Sequence, residues 1–320
     1  DQMREDLYHF EGNAQAFRLV TKLHYLVDER GMNLTYGLLG SILKYPVSSV
    51  EIDRDSGDIK KKKLGYYYAD KEMFDAVQKE TETEGSRHPL TFILEAADDI
   101  AYKTADIEDA FVKGFLSYGT LYEELSSLPQ GTKGENGFSP LGKLEELYER
   151  AKERREEQPE EYAIKNWIVR IQGFLIGCAT SGFTSNYDAI MNGEYQHDLF
   201  YGTEAESLMN LLGDIAYRRV FTSYQIYKME VIESTILNML MDKFVNAVIY
   251  YDVEGEKLNS IHMRLVSFIS ENYKEAYHFH SKGKSEAEKL YLRILLVTDY
   301  ICGMTDSYAK RLYQELTGIF

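Results

Sequence analysis

Five prolines in 320 residues set the strongest limit on what this chain can fold into. Proline removes a helical hydrogen-bond donor and clashes with the preceding turn, so its scarcity leaves long stretches open to helix. The apolar spacing uses that freedom. Ala14, Phe17, Val20, Leu23 and Leu26 recur at three-residue steps over 14–27. A second run through Leu38, Leu39, Ile42 and Leu43 begins at the capping candidates Asn33 and Thr35 and stops at Pro46. The same periodicity predicts helices over 69–82, 90–102, 107–121, 141–161, 162–180, 205–219, 223–247, 258–277, 284–300 and 305–317. Residues 47–68 read as a loop or short hairpin, and Gly131 to Gly137 as a linker. The expectation is a mostly α fold: a helical bundle with a small hairpin or loop insertion and additional C-terminal helices. It divides without a sharp boundary into 1–125 and 126–320.

Composition narrows the function. With 36 Lys+Arg against 52 Asp+Glu the net charge is −16, which argues against a surface built wholly for nucleic acid. A local basic pocket for a small polyanion remains compatible with it. A hydrophobic fraction of 44% excludes wholesale disorder. The two cysteines, Cys178 and Cys302, read as core residues; they cannot supply a disulfide framework or a Cys-rich zinc site, so a reducing, cytoplasmic setting is expected. No apolar run reaches the roughly 18 residues a membrane span needs, and neither a membrane partner nor a signal peptide is expected.

The segment Leu94-Glu95-Ala96-Ala97-Asp98-Asp99-Ile100-Ala101-Tyr102-Lys103-Thr104-Ala105-Asp106 carries the most chemistry. Residues four apart share a helix face, so Asp98, Tyr102 and Asp106 form one stripe of carboxylate, phenol and carboxylate. Ala97, Ile100, Ala101 and Thr104 beside it allow close packing. A hard metal ion at Asp98, with Tyr102 and Asp106 reaching a ligand alongside, would give this stripe a purpose. A capped, solvated acidic face is the alternative. Lys60 to Lys63 form the densest basic patch, suited to a polyphosphate, to single-stranded nucleic acid, or simply to solubility.

These residues sit in a wider pattern. Phe10-Glu11-Gly12-Asn13-Ala14-Gln15-Ala16-Phe17-Arg18, Met32-Asn33-Leu34-Thr35-Tyr36-Gly37, Leu43-Lys44-Tyr45-Pro46, the Glu95–Tyr102 string and Val297-Thr298-Asp299-Tyr300-Ile301-Cys302-Gly303-Met304-Thr305-Asp306-Ser307-Tyr308-Ala309 follow one another in order. That ordered set resembles the dGTPase-like deoxynucleoside triphosphate triphosphohydrolases of the HD superfamily, and it covers essentially the whole chain. The resemblance implies an HD-type helical bundle, with 1–125 as the C-terminal part of the catalytic core and 126–320 as a helical extension carrying the oligomer interface. It implies one divalent metal ion, such as magnesium or manganese, held by a first His, an adjacent His-Asp pair and a distant Asp. Asp98 takes the distant position and is the catalytic and metal residue expected here. Tyr102 takes the place of the tyrosine packed on the sugar, and Asp106 that of the aspartate bonding the 3′-hydroxyl.

Lys44 and Tyr45 take the phosphate-contacting positions. Asn13, Lys63 and Tyr227 are further expected substrate contacts. The implied reaction releases a deoxynucleoside and intact triphosphate, dGTP being the first candidate substrate. The implied partners are further copies of the chain, as a dimer or hexamer, and single-stranded DNA as an effector. The His and His-Asp ligands precede the Glu-Gly-Asn-Ala-Gln string in the family, whereas upstream of Phe10 stands only His9. Because the chain starts at Asp1 rather than Met, those ligands are expected on a preceding segment of a longer polypeptide. His197-Asp198 is a His-Asp dipeptide in an irregular stretch and reads as solvated, and His278-Phe279-His280 reads as a helix end with exposed histidines. A catalytically incomplete nucleotide-binding regulatory protein, or an HD phosphohydrolase acting on another nucleotide, are the competing readings.

Overall fold

The computed structural model describes residues 1–24, 31–129 and 137–319. The predicted positions Leu26, Val27 and Gly131 to Asn136 therefore lie outside the described residues. Among those described there is no strand, and the 47–68 segment is turns with a 3-10 turn at Ile59–Lys61, so the loop alternative holds and the hairpin does not. No described helix is long and apolar enough to cross a membrane.

The helices run α1 Gln2–Asp6, α2 Gly12–Arg18, α3 Tyr36–Ile42, α4 Lys71–Glu80, α5 Pro89–Val112, α6 Tyr118–Ser126, α7 Pro140–Glu153, α8 Pro159–Ser185, α9 Tyr187–Met191 and α10 Glu206–Ala216. They continue with α11 Tyr224–Val248, α12 Ser260–Phe268, α13 Glu271–His280, α14 Glu286–Cys302 and α15 Asp306–Thr317. They gather into two compact units. The first comprises Asp1–Ser56, Lys60–Gly85 and Lys228–Phe320; the second comprises Gly57–Ile59 and Ser86–Tyr227. The 125/126 division expected from sequence falls inside α6, in the second unit.

In the second unit α5 and α8 carry the core. Pro89 and Pro159 each occupy the first helical position, where the missing N–H costs nothing. Trp167 is fully buried on α8 and donates its Nε1–H to the Pro140 carbonyl at 2.8 Å. Gly182 on α8 lies so close to the chain at Leu199 that an added Cβ would stand 2.0 Å from that carbonyl oxygen. Gly177, one turn earlier, faces open space. Gly177→Ala is therefore expected to stabilise the protein by about 0.5–1 kcal/mol, through helix propensity alone. Differential scanning calorimetry would register this as a melting midpoint raised by about 1–3 °C.

In the first unit a buried charge cluster joins segments far apart in sequence. Arg18 donates Nε and Nη2 to Asp299 at 2.8 Å each, and Nη1 to Asp70 at 3.2 Å; Gln15 adds a bond to Asp299 at 2.9 Å. Burial opposes the guanidinium charge, but the facing Asp299 and Asp70 outweigh it and hold the Arg18 pKa above its ordinary value. Asp6 is a second buried node. It accepts from Ser49 Oγ at 2.6 Å, from the Tyr68 N–H at 2.7 Å and from the Tyr291 hydroxyl. Burial raises the Asp6 pKa against the pull of those three donors. Together the two nodes fix α1, α2 and α14 around the turn at 66–70.

Candidate functional site

The α5 stripe forms as the spacing requires. His88 caps the helix by accepting the Leu90 N–H on Nδ1, and Gly114, at φ 76°, follows its end. Phe92, Ala96, Ile100, Thr104, Ile107 and Ala110 face the core. Asp98, Tyr102 and Asp106 are offset by two positions from Ala96, Ile100 and Thr104, about 200° round the helix. They therefore line the side turned away from that core. Asp98 and Asp106 are half-buried and Tyr102 is 67% exposed, with Ala97, Ala101 and Ala105 exposed beside them. The result is a shallow shelf of small side chains bearing one ring between two carboxylates. Burial, then the Asp109 charge, pushes the Asp106 carboxyl above the usual range. Ile100 and Thr104 belong to the core face rather than to the shelf, and Thr104 accepts a bond from Gln172 at 2.9 Å.

One turn before Asp98, Glu95 is held by Arg87 at 2.6 Å. Arg87 is buried, and its guanidinium lies over the Phe92 ring, 5.4 Å from the centroid. The pair gives Glu95 a fixed countercharge beside the stripe. Among the described residues no three His, Cys, Asp or Glu side chains are grouped to hold a metal ion. A divalent cation takes roughly four to six ligands, and Asp98 would supply one, so the described residues do not by themselves complete such a site.

The first unit brings four of the expected contacts together. Asn13 Nδ2 donates to Glu11 Oε1 at 2.7 Å, and Lys63 Nζ pairs with Glu11 Oε2 at 3.0 Å. Their chain neighbours Ala14 and Leu64 share a small core with Tyr67, so the backbone is pinned behind both side chains. Two residues beyond Lys63, Gly65 N–H donates to the Val47 carbonyl at 2.9 Å. An added Cβ on Gly65 would stand 1.6 Å from the Tyr45 carbonyl oxygen. That contact fixes Lys44 and Tyr45, at the end of α3, against the lysine-bearing segment. Tyr45 is buried and Lys44 half-buried. Lys61 and Lys62 are exposed, and Lys60 donates to the Gly85 carbonyl at 3.5 Å. Glu11 was not among the residues singled out from sequence; its signal was its place two residues before Asn13.

The remaining candidates have local roles. Tyr227 is half-exposed in the first turn of α11, and among the described residues its hydrogen bonding stays within that helix start. Upstream of Tyr227, the basic pair Arg218 and Arg219 closes on Glu124, at 2.9 and 3.2 Å. Asp198 Oδ1 accepts the Phe200 and Tyr201 N–H groups at 2.8 and 3.0 Å, and the His197 ring stacks on Tyr201. This dipeptide builds a turn. His278 is exposed and bonded to Tyr251 at 2.9 Å. His280, expected to be exposed, is half-buried; burial, with Lys22 and Arg18 nearby, lowers its pKa to about 4. Cys178 is buried, but Cys302 is exposed at the end of α14 rather than in the core.

Comparison with known proteins identifies the lineage. Residues 200–315 match the phosphohydrolase-associated domain family. A deoxyguanosinetriphosphate triphosphohydrolase-like protein of Listeria monocytogenes is 42% identical over 321 residues, spanning 99% of this chain and 67% of the relative. Deoxyguanosinetriphosphate triphosphohydrolases of Yersinia enterocolitica and Klebsiella pneumoniae are each 31% identical, over 98% and 99% of this chain and 65% of each relative. The helical fold and these matches over nearly the whole of this chain agree, and the chain belongs to the dGTP triphosphohydrolase-like family of the HD superfamily.

Proposed function

We propose that this chain acts in the hydrolysis of deoxynucleoside triphosphates, dGTP first among them, to a deoxynucleoside and intact triphosphate. Water adds to the α-phosphorus, the bond from that phosphorus to O5′ breaks, and the nucleoside oxygen takes up a proton. The observation that carries this reading is the local assembly of Asn13, Lys44, Tyr45 and Lys63 from three separate stretches of sequence. In a protein of net charge −16, a polyphosphate needs such a concentration of donors and cations. We assign Lys44, Tyr45 and Lys63 to the phosphates and Asn13 to a polar contact beside them. On α5, Tyr102 packs on the deoxyribose, Asp106 accepts from the 3′-hydroxyl, and Asp98 serves as one carboxylate donor to a divalent ion, magnesium or manganese. Such an ion, when bound, supplies Lewis-acid stabilisation of phosphate charge. Tyr227 is assigned a nucleotide contact.

We further propose a cytoplasmic homo-oligomer, a dimer or hexamer, with Lys60 to Lys63 contacting single-stranded DNA as an effector. The decisive experiment incubates the full-length protein with each of the four dNTPs and Mg²⁺ or Mn²⁺ and measures inorganic triphosphate. Release from dGTP is expected; no release from any dNTP, with metal shown to be bound, overturns the reading. The sugar contact has its own signature. A charged acceptor bonded to the 3′-hydroxyl is worth about ten-fold in affinity, so Asp106→Ala is expected to raise the KM for dGTP by that factor. Wild type should lose a similar factor on 2′,3′-dideoxy-GTP, and Asp106→Ala should lose nothing further. An equal penalty in both proteins would remove Asp106 from that role.

A further inference from the structure

We infer that Glu11 is a positioning residue that sets Asn13 and Lys63 as a coupled pair for the triphosphate, an inference that rests on the phosphate assignment just proposed. Its side chain is almost wholly buried, and each of its two oxygens is engaged: Oε1 by Asn13, Oε2 by Lys63. An ionised carboxylate accepts only, so the Asn13 amide must turn its NH₂ toward Glu11. One N–H is thereby committed; the second and the carbonyl oxygen are oriented by the first. Asn13 N–H also points at Oε1, at 3.4 Å, which ties the carboxylate to the start of α2.

Lys63 is the adjustable member. Its side chain is 43% exposed although its ammonium rests on a buried carboxylate. An ammonium has three donors, and the bond to Glu11 uses one. Glu11 therefore costs the site a negative charge close to where a polyanion would bind, and in exchange it restrains a long, rotamer-rich side chain before substrate arrives. Those two effects have opposite signatures. Loss of the charge alone would tighten ground-state binding, whereas loss of the restraint would slow turnover.

The test is a double-mutant cycle on the full-length protein, read first as calorimetric binding of inorganic triphosphate, which needs no turnover. Lys63→Ala is expected to weaken that binding about ten-fold in the wild-type background and no more than about two-fold in Glu11→Ala. Equal losses in the two backgrounds overturn the inference. Kinetics supply the second readout. Glu11→Gln, which can still accept from Asn13 but loses the ion pair, is expected to lower kcat for dGTP about ten-fold without raising KM. An unchanged kcat overturns the positioning role, and so does the same drop in kcat on a Lys63→Ala background. If the wild type releases no triphosphate from any dNTP, the hydrolytic reading fails while the binding cycle still decides the role of Glu11.

Discussion

Asp98→Ala is expected to lower dGTP turnover by roughly a thousand-fold, equivalent to about 4 kcal/mol of transition-state stabilisation on the proposed reading of α5. It should also strip the retained divalent ion, measured by elemental analysis of the purified full-length protein. The far-UV circular dichroism spectrum should not change. The separation of these readouts follows from where the residue sits. Asp98 lies about 200° from the core-facing row of α5, and that row of Phe92, Ala96, Ile100, Ile107 and Ala110 is buried to 7% exposure or less. Truncating a half-exposed carboxylate on the far side leaves every one of those contacts in place. The helix also keeps its His88 cap, worth roughly 1 kcal/mol as caps generally are. Turnover that survives the substitution, or a metal content that does not fall, would refute the ligand assignment.

The stripe was legible because helical spacing is a local property: 98, 102 and 106 share a face in any helix. Helix ends were less so. The apolar pattern suggested separate helices over 90–102 and 107–121, but α5 runs unbroken through Lys103–Asp106 to Val112. The polar residues there reflect a change of face rather than a break, and Thr104 returns its hydroxyl to the Ile100 carbonyl at 2.7 Å within the helix. Conversely, 141–161 is two helices, parted where Arg155 adopts φ 59° and Pro159 starts α8. The 258–277 run is likewise split, between Phe268 and Glu271.

What spacing cannot convey is long-range pairing. The strings Phe10–Arg18 and Val297–Ala309 belong to the same family resemblance, and the structure joins them through Arg18 and Asp299, 281 residues apart. Part of the shared pattern is thus a buried ion pair that holds α2 against α14. Breaking one partner of such a pair leaves a buried charge without compensation, so these positions are constrained by the fold itself. Glu11 was hidden for a related reason. In sequence it is one of 52 acidic residues beside a local partner in Asn13; only the return of the chain at Lys63 adds the second.

The same return of the chain gives Gly65→Ala a large expected effect on stability. Its φ is not left-handed, so any L-residue could take its backbone conformation; what forbids a side chain is space. A methyl group would sit 1.6 Å from the Tyr45 carbonyl oxygen, and that neighbour is backbone, which cannot rotate aside as a flexible side chain would. The segments 45–47 and 63–67 must move apart, straining the Gly65–Val47 hydrogen bond and opening the small core of Ala14, Leu64 and Tyr67. Overpacking of this kind costs about 3 kcal/mol, and the melting midpoint should fall by several degrees. Because the displaced segments carry Lys44, Tyr45 and Lys63, inorganic triphosphate affinity should fall about ten-fold as well, by at least the value of one lost charged contact. Gly182→Ala supplies the comparison. Its Cβ would stand 2.0 Å from the Leu199 carbonyl oxygen, a clash of the same kind in the other unit. It should destabilise comparably and leave triphosphate affinity unchanged. Equal affinity losses in the two variants would mean that general destabilisation, and not the alignment of residues 44, 45 and 63, governs how the polyphosphate is held.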